Sequence, residues 1–518
     1  MIFLPIQLLA LSSLAQSTWA SSIVLRKGTI IGWNENLKSL EVTRKGSLVI
    51  TDDRITGIYA EDDEPTYPKD AEIIDATGKI ITPGFVDTHR HNWQTAWRTA
   101  NSNLTIHEYF PRVFTPKNTG SWSPEDIYNS HLLGIYEGLN FGVTTMLDHA
   151  HHSWSREHGE AGFRASLDSG ARVIHAYNLG SMGYGNSLED QVDDLKRLYK
   201  SYGDVLDKSL VTLGVASDLF AFLDEEALAP VLKLLSDYDV AVLTTHMLGG
   251  PYGVDNNPER LHQLGLLNTS MPVIIGHASF LEQHSYKLLQ ATNQYASITI
   301  ESEMFVGQTN PTAHHWLDQA ALGIDSFFMF SSDLLTQARM LLAYVRNALF
   351  SDALAKWEIP GNSPMSVSQA FLVATRSGGQ ALRRPDLGII AAGAKADILV
   401  WDTTNLAMTG WIDPIAAILN HANPSDIQDV LVDGVFKKRG GKLLIADLDQ
   451  AKSKFEQTAR KVQATLLASP RVEVKGGERY ISGARVRKLR QVDVIRGDGD
   501  GSEFFKRASS RAGSHDEL

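Results

Sequence analysis

Hydrophobic positions along this chain fall into two textures. Between residues 22 and 82 they come in short β-rich runs, "SIVLRKGTII", "KGSLVITDDRITGIYAE" and "AEIIDATGKIITPG", separated by polar turns. Such runs predict a small sheet. The same texture returns late, in "ADILVWDTTNLAM" and "IQDVLVDGVFKKRGGKLLI", so both ends of the chain are expected to contribute to one composite β-sandwich. Between them, apolar strand-like runs are each followed by a helical segment: "GVTTMLDHA", "ARVIHAYNLG", "LVTLGVAS", "VAVLTTHM", "PVIIGHAS", "YASITIESEM" and "DSFFMFSSD". Strands alternating with helices predict an α/β fold of parallel units. At this length a closed (β/α)8 TIM barrel is the economical arrangement. The expected division is 21–82 and 384–448 for the two parts of the sandwich, 83–383 for the barrel, and 449–518 for a C-terminal helix and tail. The helix is expected over 451–467, and the stretch beyond Gly476 is read as a mobile tail.

Most apolar runs of the central region end on His or Asp: His89 and His91, His149 with His151, His246, His277 and Asp333. Catalytic groups of a β/α barrel project from the C-terminal ends of its strands. His89 and His91 stand two apart, so on a strand both imidazoles leave from one face. Alone, that pair is equally well explained as a polar strand end. With His246 and Asp333 it becomes three nitrogens and a carboxylate, a ligand set for one divalent ion, Zn²⁺ first and Fe²⁺ as the alternative. His277 would then take a proton from water activated by the ion, or polarise the substrate.

Composition narrows the function classes. A net charge of -12 over 518 residues speaks against nucleic acid as a partner, because phosphate recognition needs a clustered basic surface. The basic run "RVRKLRQ" is too short to reverse that. Residues 1–20 read as a secretory signal peptide, although their n-region has no Lys or Arg; a buried first element is the other reading. The last four residues, "HDEL", read as a retention signal for the endoplasmic reticulum, with its receptor as a partner and the lumen as location. No later stretch is long enough for a transmembrane span. The chain has no cysteine, so no disulfide can support it there, and the His/Cys/Cys zinc-deaminase design is excluded. Asn103 and Asn268 stand in glycan-acceptor patterns. "GSMGYG" lacks the order of a dinucleotide fingerprint and is read as a loop.

The stretches "IITPGFVDTHRH", "GVTTMLDHAHH", "DLGIIAAGAKADILVWD" and "VLVDGVFKKRGGKLL" resemble the amidohydrolase superfamily, in its cytosine-deaminase and triazine-hydrolase-like (ATZ/TRZ) branch, over about residues 22–442. The resemblance implies a metal held by His89, His91, His246 and Asp333, with His277 assisting catalysis and Asp333 relaying protons. Binuclear relatives bridge two metals with a carboxylated lysine on strand four; "LVTLGVASD" has no lysine, which favours one ion. Deaminases of the branch carry a glutamate three residues after the strand-five histidine, and here that place is Gly249. Glu303 is the candidate replacement for proton delivery. His151, beside the same mouth, and Gln94 are candidate substrate contacts, while His149 and His152 are read as packing or loop residues. The implied activity is metal-dependent, deaminase-like hydrolysis of a C–N bond in a small cyclic or heteroaromatic nitrogen compound. Hydrolysis of an amide, lactone or halide without ammonia release is one alternative, and a non-catalytic lumenal binding protein is another. Relatives are often dimers or tetramers, which implies a homo-oligomer.

Overall fold

The computed structural model describes residues 22–180 and 185–489. The expected signal segment and the "HDEL" tail lie outside the described residues, as do positions 181–184 of the "GSMGYG" run. The chain divides into two units at Val472 and Glu473.

The first unit contains both expected sheets. Eight parallel strands follow one another in chain order around a barrel: Phe85–Arg90, Val143–Ala150, Val173–Asn178, Val211–Ala216, Leu243–Leu248, Val273–Ser279, Tyr295–Ile298 and Ala320–Leu322. The ring closes where the amides of Ile324 and Asp325 both donate to the His89 carbonyl at 2.9 Å and Thr88 Oγ1 donates to the Leu322 carbonyl. Side chains alternate along each strand, so every second residue points into the barrel. Its lower interior is filled by Val86, Leu147, Ala176, Ala216, Ile274 and Ala321.

The two chain ends build a second, nine-stranded and mostly antiparallel sheet. The junction is the pairing of Ile80–Pro83 with Ile398–Trp401. The first strand, Ser22–Asn34, shifts register between Leu25 and Ile30. It pairs with Glu72–Asp75 at its start and with Ile80 and Ile81 further on. That bend lets the sheet enclose its own core of Leu25, Ile30, Leu48, Ile55, Ile81 and Leu431.

Two expectations need correction. The eighth barrel strand is not the apolar run "DSFFMFSSD" but the three residues Ala320–Leu322 that precede it. Phe328 and Met329 of that run instead pack into an aromatic cluster with Trp93, Trp97 and Tyr109, so their hydrophobicity reflects loop burial. The run of the seventh barrel strand, "YASITIESEM", is strand only to Ile298; a helix covers Ile300–Phe305. The C-terminal helix runs over Leu448–Leu467, and Phe455, Ala459, Val462 and Leu466 bury it in that same aromatic cluster. No helix among the described residues is long and apolar enough to cross a membrane. In the second unit, the Gly477 amide donates to the Val486 carbonyl and the Tyr480 amide to that of Ala484, both at 2.8 Å. The part of the expected mobile tail that is described is thus a small hydrogen-bonded turn.

Candidate active site

The first strand ends by presenting His89 and His91 into the barrel mouth, and the fifth, sixth and eighth bring His246, His277 and Asp325 to them. His91 Nε2 lies 3.1 Å from Asp325 Oδ1 and 3.4 Å from His246 Nε2. His89 Nε2 lies 3.7 Å from the same Asp325 oxygen. Ligands about 2.0–2.1 Å from a tetrahedral zinc stand about 3.3 Å apart, so these spacings fit a shared ion. His89 is fully buried, and neither of its ring nitrogens has a hydrogen-bond partner among the described residues. Such an arrangement is costly unless something else occupies those lone pairs.

The carboxylate is Asp325, not the expected Asp333. Asp333 is the N-cap of the helix Leu334–Ala355; its carboxylate accepts from the Thr336 amide at 2.7 Å and from its hydroxyl at 2.9 Å. A side chain spent on capping is aimed along its own helix. Asp325 follows the true eighth strand directly, and Ser302 donates to its second oxygen. Burial alone would push its carboxyl up, but the rings of His89 and His91 outweigh burial and hold it well below the usual carboxylate range.

Each other histidine is oriented through Nδ1. His91 donates it to the His149 carbonyl at 2.8 Å. His246 donates it to Asp218 Oδ2 at 2.8 Å, and Asp218 Oδ1 accepts from the His246 amide at 2.7 Å and from Thr245 Oγ1 at 3.1 Å. These bonds leave Nε2 as the free ligand atom, the usual arrangement behind a metal-binding imidazole. Asp218 lies two residues past the fourth strand and was not among the expected residues. The rule that picked out the histidines, a polar group closing an apolar run, could have found it. Burial raises its carboxyl, and the charge and hydrogen bonds of His246 and Thr245 more than reverse that.

His277 and Ala278 hold φ of 66° and 48°, left-handed backbone that non-glycine residues adopt only under constraint. Gly276 precedes them because a Cβ there would meet His89 Cε1 at 2.9 Å. His277 Nδ1 donates to Thr299 Oγ1 at 2.9 Å, and the Thr299 hydroxyl and amide donate to Glu303 Oε1 at 3.4 and 2.9 Å. Glu303 is wholly buried and stands 3.6 Å behind His277 Nδ1. It backs that histidine and does not face the mouth, so the expectation that it reaches into the pocket is corrected.

His149, read from the sequence as packing or loop, lines the barrel interior; its ring centroid is 4.2 Å from that of His246, its Nε2 is 3.9 Å from Asp218 Oδ2, and neither nitrogen has a hydrogen-bond partner among the described residues. His151 stacks on His91 at 4.1 Å and accepts from Trp93 Nε1 at 2.8 Å. Burial, then the neighbouring imidazoles, pushes both His149 and His151 well below the usual histidine range. Gln94 is fully buried beneath this layer and donates to the Tyr109 hydroxyl at 2.8 Å. Gly249 has no room for a side chain: a Cβ would lie 2.6 Å from the Ser279 carbonyl oxygen.

Residues 80–437 match the model of the amidohydrolase family. The chain belongs to that family. Membership makes it a hydrolase of carbon–nitrogen bonds other than peptide bonds, in a metal-dependent family whose candidate His and Asp ligands are present here. This amidohydrolase is 24% identical over 431 residues to a 5'-deoxyadenosine deaminase of Methanobrevibacter smithii, covering 81% of this chain and 94% of the relative. It is 23% identical over 453 residues to a 5-methylthioadenosine/S-adenosylhomocysteine deaminase of Acetivibrio thermocellus, covering 85% and 99%. In fold it is similar to the atrazine chlorohydrolase TrzN of Arthrobacter aurescens complexed with zinc, with a TM-score of 0.71, 20% identity, and coverage of 84% of this chain and 100% of that one. An adenosine deaminase of Xanthomonas campestris with bound zinc gives a TM-score of 0.73 at 17% identity, covering 85% and 98%.

Proposed function

We propose that this amidohydrolase is a mononuclear, deaminase-like enzyme acting on a ring C–N bond of a small heteroaromatic nitrogen compound. His89, His91, His246 and Asp325 would hold its divalent ion. The observation that carries the reading is their convergence, together with His277, from four separate strands onto the C-terminal mouth, where His89 is shared by two groups of ligating atoms, one with His91 and Asp325 and one with His246 and His277. Zinc is the preferred ion, because the set is imidazole-rich, has no thiolate, and has spacings suited to a tetrahedron. Bound there, it would supply Lewis acidity and bring the pKa of water toward neutrality. Asp325 accepts the proton released as water attacks, and His277 donates a hydrogen bond to the ring nitrogen on which negative charge develops. With its Nδ1–H given to Thr299, His277 can donate from Nε2 only when the ring carries both protons, and the Glu303 carboxylate 3.6 Å behind Nδ1 faces that charge. The names of the curated relatives support an aminopurine nucleoside as the first substrate to try.

Gly249 favours a second reading. With no carboxylate at that place and Glu303 facing away, only Asp325 and His277 remain to protonate a departing amine. A leaving group that departs as an anion, such as a halide or an alkoxide, needs less of that help. The deciding experiment measures ammonia release by Zn²⁺-loaded and Fe²⁺-loaded protein against aminopurine nucleosides, aminoazines, cyclic ureas and simple amides. Ammonia that disappears in His277→Ala supports the deaminase. Silence from metal-loaded protein, with turnover of a chloro- or alkoxy-azine, selects the second reading.

A further inference from the structure

A second group of buried histidine and carboxylate side chains lies on the outer face of the barrel, at its second and third strands. Asp148 and His175 are paired across the second and third barrel strands and point outward into the layer between barrel and helices. There they meet His131 on the helix Pro124–Asn140 and Ser166 on the helix Arg156–Asp168. All four are fully buried. His131 Nε2 is 3.4 Å and His175 Nδ1 is 3.9 Å from Asp148 Oδ2. Ser166 Oγ is 3.1 Å from each of those nitrogens. These distances bracket the edge of about 3.3 Å expected for a tetrahedron of ligands around zinc.

Hydrogen bonding among these groups does not account for their polar atoms. Asp148 Oδ2, the oxygen that His131 Nε2 and His175 Nδ1 face, has no hydrogen-bond partner among the described residues. Leaving such a buried group unpaired is costly. The nearby Arg90 guanidinium does not serve them: it faces Asp87 at 3.2 Å and donates to the Gly134 carbonyl.

We infer that His131, His175 and Asp148, with the Ser166 hydroxyl closing the fourth position, form a structural site for a divalent transition-metal ion, distinct from the catalytic one. A carboxylate and two imidazoles in a sealed tetrahedral set suit zinc without leaving a position for substrate. The ion pins two outer helices to the barrel. It also reaches the catalytic mouth, because the other Asp148 oxygen accepts from the Asn92 amide at 2.8 Å and so fixes the turn that follows His91.

The test counts metal. Full-length protein saturated with Zn²⁺ and freed of loosely bound ion by gel filtration should carry two equivalents by elemental analysis. His89→Ala/His91→Ala should keep one, and His131→Gln/His175→Gln should lose that one while keeping the catalytic ion. Cobalt in the His89→Ala/His91→Ala protein should give the intense visible bands of a tetrahedral site. Wild type saturating at one equivalent that only the His89/His91 change removes would overturn the outer site and leave the proposed function standing. Wild type holding no metal would overturn both. Because the wild-type stoichiometry decides, the inference stays testable even if the His131/His175 protein does not fold.

Discussion

Asp148 and His149 are chain neighbours that serve different clusters. His149 points into the barrel beside His246, at the catalytic mouth, while Asp148 points outward to His131 and His175. In the inner cluster His91, His246 and His277 have Nδ1 tied back by a carbonyl, a carboxylate or a hydroxyl. The outer cluster is sealed between strands and helices. The comparison teaches that residue type does not distinguish a catalytic set from a structural one. Strand parity does, since a shift of one residue moves a side chain to the other face.

The sharpest break between the clusters comes from deleting inner ligands. His89→Ala or Asp325→Asn should cost about 10³-fold or more in kcat/KM, because losing several kcal/mol of transition-state stabilisation at about 1.4 kcal/mol per decade has that size. Asp333→Ala should leave metal content and kcat/KM near wild type and lower stability by about 1 kcal/mol, the usual worth of an N-cap. Steady-state kinetics, metal analysis and denaturant melts of the same proteins check both. Equal kinetic loss in Asp333→Ala would refute the assignment of Asp325.

Asp218→Ala should weaken metal affinity or activity about 10–100-fold, the ordinary effect of removing the group behind a ligating imidazole. Competition with a chelator reads it directly. Glu303→Gln should act more mildly, about tenfold on kcat with little change in KM, since it supports His277 through Thr299. A loss of 10²–10⁴-fold would instead mark a group that itself transfers protons.

Acid should expose the outer cluster. His131, His152 and His175 are held below the ordinary histidine range by burial, His175 at about 3. Their folded-state values lie below the unfolded value of about 6.5, so the unfolded chain binds more protons in that window and stability must fall as pH drops below about 6.5. In metal-stripped protein each such group should add up to about 1.4 kcal/mol per pH unit. Thermal melts between pH 7.5 and 5 should show a shallower slope in His131→Gln/His175→Gln. Gly249→Ala, which sets a Cβ against the Ser279 carbonyl, should cost about 1–3 kcal/mol of stability in a denaturant melt. Gly249→Glu should not create a faster deaminase, because the Ser279 carbonyl leaves no room to place a carboxylate there.

The sequence by itself determined the barrel, the composite sheet and the four inner histidines. Each depends on local signals: alternation between strand and helix texture, and a histidine closing an apolar run. Tertiary structure decided the rest. Asp325 was hidden because the strand before it is three residues of low β-propensity, while the strongly apolar run after it is a buried loop ending on a helix cap. Glu303 was misjudged because one turn of helix begins at Ile300 and carries its carboxylate behind His277. Asp218 owes its role to a neighbouring strand, and the outer cluster joins residues from two strands and two helices up to 44 positions apart, His131 to His175. No local pattern encodes such a meeting, because it depends on how helices dock against the outside of a closed barrel.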